Sequence, residues 1–135
     1  MKMLYVGIDV SKHKHDCFIT NANGEVLADV FTIQNSREGF EELHHRIKSL
    51  RPRPSGENTK VGLEATGHYS DNIIRFLRKI GLTPVILNPL QVKLYHKGES
   101  LRKTKTDKSD ARHIAGMLIA KGLEPTLNHH ITARS

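Results

Sequence analysis

MLYVGIDVSKHKHDCFITNANGEVLADVFTI, residues 3–33, is the stretch that decides the fold. Met3–Val10 is a short apolar, partly β-branched run that ends at Asp9, the mark of a buried strand. His15–Asn21 sets Cys17 and Ile19 against His15, Asp16, Phe18 and Thr20, as a second strand would. Asn23-Gly24 is the dipeptide of a type I′ hairpin turn, and Glu25–Ile33 returns as a third strand. The chain is therefore expected to open with three consecutive antiparallel strands.

The pattern then changes period. Ser36 is a plausible N-cap, and Phe40, Leu43, Ile47 and Leu50 form one stripe of an amphipathic helix that ends before the RPRPSGEN loop. Lys60–Ala65 reads as a fourth strand with Glu64 near its end. A helix follows over about Ser70–Ile80, with Ile73, Phe76, Leu77 and Ile80 inward and Gly81 as its stop. Thr83–Leu87 reads as a fifth strand closed by Asn88-Pro89, residues 89–106 are ambiguous, and a last helix runs from about Asp107 to Lys121 with Ile114, Leu118 and Ile119 on its apolar side. The order βββαβαβα implies an α/β fold. Its five-stranded mixed sheet has three antiparallel strands, then parallel ones, with helices on the faces.

Composition narrows the function. The chain has 135 residues, with 21 Lys+Arg against 14 Asp+Glu, a formal net charge of +7. Residues 93–112 hold seven basic side chains (Lys93, Lys97, Arg102, Lys103, Lys105, Lys108 and Arg112) against three acidic ones, a local net of +4. So concentrated a patch favours a polyanionic partner, and these seven are the candidate nucleic-acid-binding residues, gripping phosphates without reading sequence. Cys17 is the only cysteine, which leaves no intrachain disulfide; no apolar run approaches a membrane span. A cytoplasmic protein is the expectation.

Within the patch, KTKTDKSDA at 103–111 places Asp107 and Asp110 three residues apart, one helical face if a helix begins there. Asp9 stands at the end of strand 1 and Glu64 at the end of strand 4. In open α/β sheets the carboxyl ends of parallel strands and the adjoining helix starts share one crevice. Four carboxylates converging there suit hard divalent cations, Mg²⁺ with Mn²⁺ as a substitute. Two such ions can activate an attacking oxygen and stabilise a leaving one in phosphodiester cleavage. Read singly, Asp9 is a turn residue, Glu64 a surface acid and the 103–111 run a solvated helix start. The adjacent pairs His44-His45 and His129-His130 lack the i, i+4 spacing of a zinc site. Tyr69 either stacks on a base or packs on the sheet.

GIDVSK at 7–12, GLEATGHY at 62–69 and KTDKSDA at 105–111 resemble, in this order and over essentially the whole chain, the DEDD transposases of one class of bacterial insertion sequence. The resemblance implies a RuvC-like, ribonuclease H-type catalytic domain in residues 1–122. Residues 123–135 would then begin a further C-terminal region, where family members carry a serine that attacks DNA. It implies Asp9, Glu64, Asp107 and Asp110 as the catalytic and metal-binding acids, with Mg²⁺. It also implies DNA, a structured guide RNA and a homo-oligomer as partners. A GID-containing first strand also opens actin-like sugar kinases, but the second lobe and Gly-rich phosphate loop of those enzymes have no counterpart in this sequence. A non-catalytic nucleic-acid-binding module and a stand-alone junction resolvase of the same fold are the alternatives; metal-dependent cleavage separates the resolvase from the module.

Overall fold

The computed structural model describes residues 3–65, 67–98 and 110–125. Five strands form one sheet: β1 (Leu4–Val10), β2 (Lys14–Asn21), β3 (Val26–Gln34), β4 (Thr59–Glu64) and β5 (Val85–Leu87). The order is β3-β2-β1-β4-β5. β2 pairs antiparallel with both β1 and β3, whereas β1–β4 and β4–β5 are parallel. The mixed sheet is the one expected from the change of hydrophobic period at Ser36.

Helices α1 (Arg37–Leu50) and α2 (Asp71–Lys79) cover one face. Ser36 caps α1, its hydroxyl accepting from Gly39 N–H at 3.2 Å, and Phe40, Leu43 and Ile47 are buried. These pack with Leu4, Val6, Ile8, Cys17, Ile19, Leu63, Ile73, Ile74 and Leu77 into the larger core. Helices α3 (Pro89–Gly98) and α4 (Ala111–Lys121) lie on the other face, where Ile114, Met117 and Leu118 meet Val85, Leu87 and Val92. Ala111 and Ala115 meet Phe18 there.

Several expectations change. The ambiguous stretch after Asn88 contains a helix, so the observed order is βββαβαβαα. Asn88 Oδ1 accepts from Leu90 N–H at 2.7 Å and Gln91 Oε1 accepts from Asn88 N–H at 3.1 Å, a reciprocal capping box with Pro89 at the first helical position. The last helix opens at Ala111, with Asp110 at its N-cap; Asp107 lies outside the described residues.

The β2–β3 hairpin does not turn on Asn23-Gly24 alone. Gly24 N–H donates to Asn21 O at 3.0 Å and Asn21 N–H to Glu25 O at 3.2 Å, closing a three-residue loop with Gly24 at φ 84°. Asn21 Oδ1 accepts from both Asn23 and Glu25 N–H, which organises that longer loop. His15 and Phe18 are both buried, although the sequence pattern set them together against Cys17 and Ile19. β2 is an interior strand with helices on both faces, so most of its residues are buried whichever side they point to. His15 shares the Cys17–Ile19 side and stacks on Phe40, ring centroids 6.2 Å apart.

Candidate functional site

The two strands that carry the expected acids repeat one device. Gly7-Ile8-Asp9 in β1 and Gly62-Leu63-Glu64 in β4 run parallel, with Gly7 opposite Gly62 and Ile8 opposite Leu63. Residues two apart on a strand share a face, so each glycine and its acid both point toward α4. A Cβ on Gly7 would stand 2.2 Å from Ala111 O and 2.7 Å from Ala115 N, both helix backbone. One on Gly62 would meet Leu118 Cδ2 at 2.8 Å. The bare glycines thus let α4 lie directly on the sheet, and its N-terminal end reaches the acids. Asp110 N–H donates to Asp9 Oδ2 at 3.0 Å, a bond spanning 101 residues of sequence. The positive end of the helix therefore points at the β1 carboxylate.

Asp9, Glu64 and Asp110 are each half-buried. Burial, then the charge of Asp110, then that of Asp9 push the Glu64 carboxyl up from its ordinary value. Glu64 is therefore within electrostatic reach of both Asp110 and Asp9. Among the described residues, no group of three or more His, Cys, Asp or Glu side chains is gathered closely enough to hold a metal ion. The fourth expected acid, Asp107, lies outside those residues. The donor chemistry nonetheless fits a hard divalent cation: oxygen ligands only, with a like-charge repulsion at Glu64 that a cation would relieve.

A carboxylate that sequence reasoning passed over stands in the same rank. Asp16 on β2 is directly opposite Asp9, hence on the same face, and accepts a hydrogen bond from Thr32 Oγ1 at 2.7 Å. Across the sheet the rank reads Thr32, Asp16, Asp9, Glu64. The signal was present in the alternation of β2, since Asp16 falls on the opposite side from Cys17 and Ile19. Only the hairpin register places it beside Asp9.

Of the seven candidate nucleic-acid-binding residues, Lys93 is exposed on α3 and Arg112 half-exposed on α4. Arg112 Nη2 donates to Asp29 Oδ1 at 2.6 Å, and its guanidinium lies 5.6 Å from the Phe18 ring centre. The Val30 N–H and then Arg112 hold the Asp29 carboxyl below its usual range. Lys97 belongs to α3; Arg102, Lys103, Lys105 and Lys108 lie outside the described residues. Tyr69 is partly exposed in the loop after β4, its ring beside that of His68. No helix among the described residues is long and apolar enough to cross a membrane.

Residues 6–134 match a family model described as Transposase, of the DEDD, IS110 type. No curated protein matches the sequence. Among solved structures, Thermus thermophilus RuvC is similar with a TM-score of 0.56 at 16% identity, over 89% of this chain and 97% of that one. T. thermophilus RuvC in complex with a Holliday junction substrate gives a TM-score of 0.59 at 18% identity, over 93% and 99% of the two chains. At such identities the likeness is one of fold. The mixed sheet with flanking helices is RuvC-like, of the ribonuclease H type.

Proposed function

The chain belongs to the DEDD transposases of the IS110 type, and on that premise we propose that this domain cleaves DNA strands in recombination, using Mg²⁺ held by Asp9, Glu64, Asp107 and Asp110. The observation that carries the reading is the meeting of elements distant in sequence. Asp9 and Glu64 end neighbouring parallel strands, and the α4 N-terminus donates its Asp110 N–H to Asp9 at 3.0 Å. When bound, the metal would activate the attacking oxygen and stabilise the leaving one.

The residues' own work is to hold that geometry. Asp110 N–H, donating to Asp9 Oδ2, sets the orientation of that carboxylate beside the helix end. Burial, then the charges of Asp110 and Asp9, push the Glu64 carboxyl up, and a bound cation would offset the charge part of that shift. Lys93, Lys97, Arg102, Lys103, Lys105, Lys108 and Arg112 contact phosphates along a DNA strand or a structured guide RNA, Arg112 by exchanging Asp29 for a phosphate. A homo-oligomer and the partition into a 1–122 domain and a following region belong to the same proposal. A second reading, resolution of branched DNA by this domain alone, is favoured by the likeness to a RuvC solved with a Holliday junction.

Calorimetric titration of Mg²⁺ or Mn²⁺ into the wild type, Asp9→Asn and Asp110→Asn tests the metal site, first alone and then with a DNA duplex present. Binding by the wild type that is lost in both folded variants is expected. Unchanged affinity in Asp9→Asn, or no binding by the wild type even with DNA, would overturn the assignment. Cleavage of a synthetic four-way junction by the isolated domain would favour the second reading over the first.

A further inference from the structure

Beside the acids stands a second group of exposed side chains that the proposed cleavage does not use. Two loops leave the sheet at the edge where β1 and β4 end: Ser11–His13, leading into β2, and residues 67–70, leading into α2. The first exposes Lys12 and His13, with Lys14 following at the start of β2; the second exposes His68 and Tyr69. The rings of His68 and Tyr69 lie 5.1 Å apart at 55°. His68 is four residues from Glu64, and Lys12 three from Asp9. At full extension these separations span at most roughly 14 Å and 11 Å, within reach of nucleotides adjoining a phosphate at the acids.

One side chain ties the two loops together. Asn35, between β3 and α1, donates its backbone N–H to His13 O at 2.8 Å and its side-chain amide to Lys12 O at 2.9 Å. The same amide nitrogen lies 3.5 Å from Tyr69 O. The spacing between the lysines and the ring pair is thus set by a residue of a third element.

We infer that the Lys12–Lys14 hairpin tip and the His68–Tyr69 turn, joined by Asn35, form a ledge that holds an unpaired nucleotide of a DNA strand next to the acid site. The base stacks on Tyr69, and Lys12 and Lys14 take the flanking phosphates. The chemistry selects a single strand. A paired base offers no free face to an aromatic ring, while every unpaired base does. The ledge rests on the reading of the acids as the cleavage centre, but its binding does not need the metal. Asn35 acts as a positioning residue.

The test is binding of a short single-stranded DNA carrying 2-aminopurine, followed by fluorescence and anisotropy in EDTA, against a fully paired duplex of the same sequence. Tyr69→Ala is expected to weaken single-strand binding about ten-fold and to remove the change in 2-aminopurine emission, with duplex binding unaltered. Tyr69→Phe should keep both signals, because stacking needs the ring and not the hydroxyl. Asn35→Ala should diminish the emission change with Tyr69 still present. Loss of each lysine should reduce the salt dependence of binding by about 0.7 in the log–log slope for each phosphate contact removed. Tyr69→Ala should still bind Mn²⁺ in the calorimetric titration as the wild type does, so loss of the ledge and loss of the metal site are separate results. Single-strand affinity unchanged in Tyr69→Ala, equal losses on strand and duplex, or no emission change with the wild type would each overturn the ledge.

Discussion

Gly7→Ala is the sharpest perturbation of the way this site is built. The added methyl would sit 2.2 Å from Ala111 O and 2.7 Å from Ala115 N. Both are backbone atoms of α4, so no side-chain rotation relieves the clash. Restoring an ordinary contact requires the start of α4 to lift from β1 by roughly 1 Å, which also opens the fit of Ala111 and Ala115 against Phe18. Overpacking of this kind costs about 1–3 kcal/mol, against about 0.5–1 kcal/mol regained from replacing a strand glycine. A net loss of about 1–2 kcal/mol is expected.

Gly62→Ala is the matched control. Its methyl meets side-chain atoms of Leu118, Cδ2 at 2.8 Å and Cδ1 and Cγ at 3.0 Å, in place of helix backbone, so its net cost should be smaller than that of Gly7→Ala. Urea unfolding followed by circular dichroism measures both variants against the wild type. Lifting α4 also strains the 3.0 Å bond from Asp110 N–H to Asp9, so Gly7→Ala should weaken Mn²⁺ binding when folded, and Gly62→Ala should weaken it less. Equal stability of the two variants, or a Gly7→Ala protein as stable as the wild type, would refute the seating of α4 on bare glycine.

Two further outcomes follow from proton linkage. The Glu64 carboxyl is pushed up from its ordinary 4.5, so above that value the folded chain holds its proton where the unfolded chain has released it, and stability falls as pH rises through the window. Glu64→Gln should therefore raise the metal-free melting temperature at neutral pH, by the equivalent of about 0.2–1 kcal/mol given its partial exposure, with the gain vanishing below pH 4.5; a lower melting temperature would sink the argument. Burial lowers the His15 pKa from 6.5, so the unfolded chain takes up the proton first, and stability present above pH 6.5 erodes as pH falls through the folded value. His15→Phe should flatten that acid-side slope in denaturation curves, and an unchanged slope would place the titrating group elsewhere.

Where hydrophobic period and local chemistry agree, the residues alone were enough. The β1–β3 meander, the Ser36-capped stripe of α1 and the strand ending at Glu64 were all legible for that reason. α3 was missed although its signal was local. Asn88-Pro89 reads equally as the close of a strand and as the cap and first turn of a helix, and only Gln91, reaching back to Asn88, tips the balance. His15 and Phe18, grouped together in the sequence pattern, fall on opposite faces of β2, His15 against Phe40 and Phe18 against Ala111 and Ala115, because polarity interleaves with burial only when one face meets water. Asp16 could not have been placed without the register that sets it opposite Asp9.

The acids themselves were legible as a set, and the glycines explain why that set works in three dimensions. A glycine inside a strand weakens it, having no side chain to pack and more conformational freedom to lose. Two such glycines facing each other across a parallel pair, each two residues before a carboxylate, would be a poor choice for the sheet by itself. They make sense once α4 is added, because the closest approach falls at Ala111, one residue after the Asp110 N–H that reaches Asp9. The sequence trace of the site is therefore the repeated spacing of glycine, apolar residue and acid more than any single acid. A chain that kept Asp9 and Glu64 but filled positions 7 and 62 with β-branched residues would gain strand propensity, push α4 outward, and separate Asp110 from the carboxylate it now contacts.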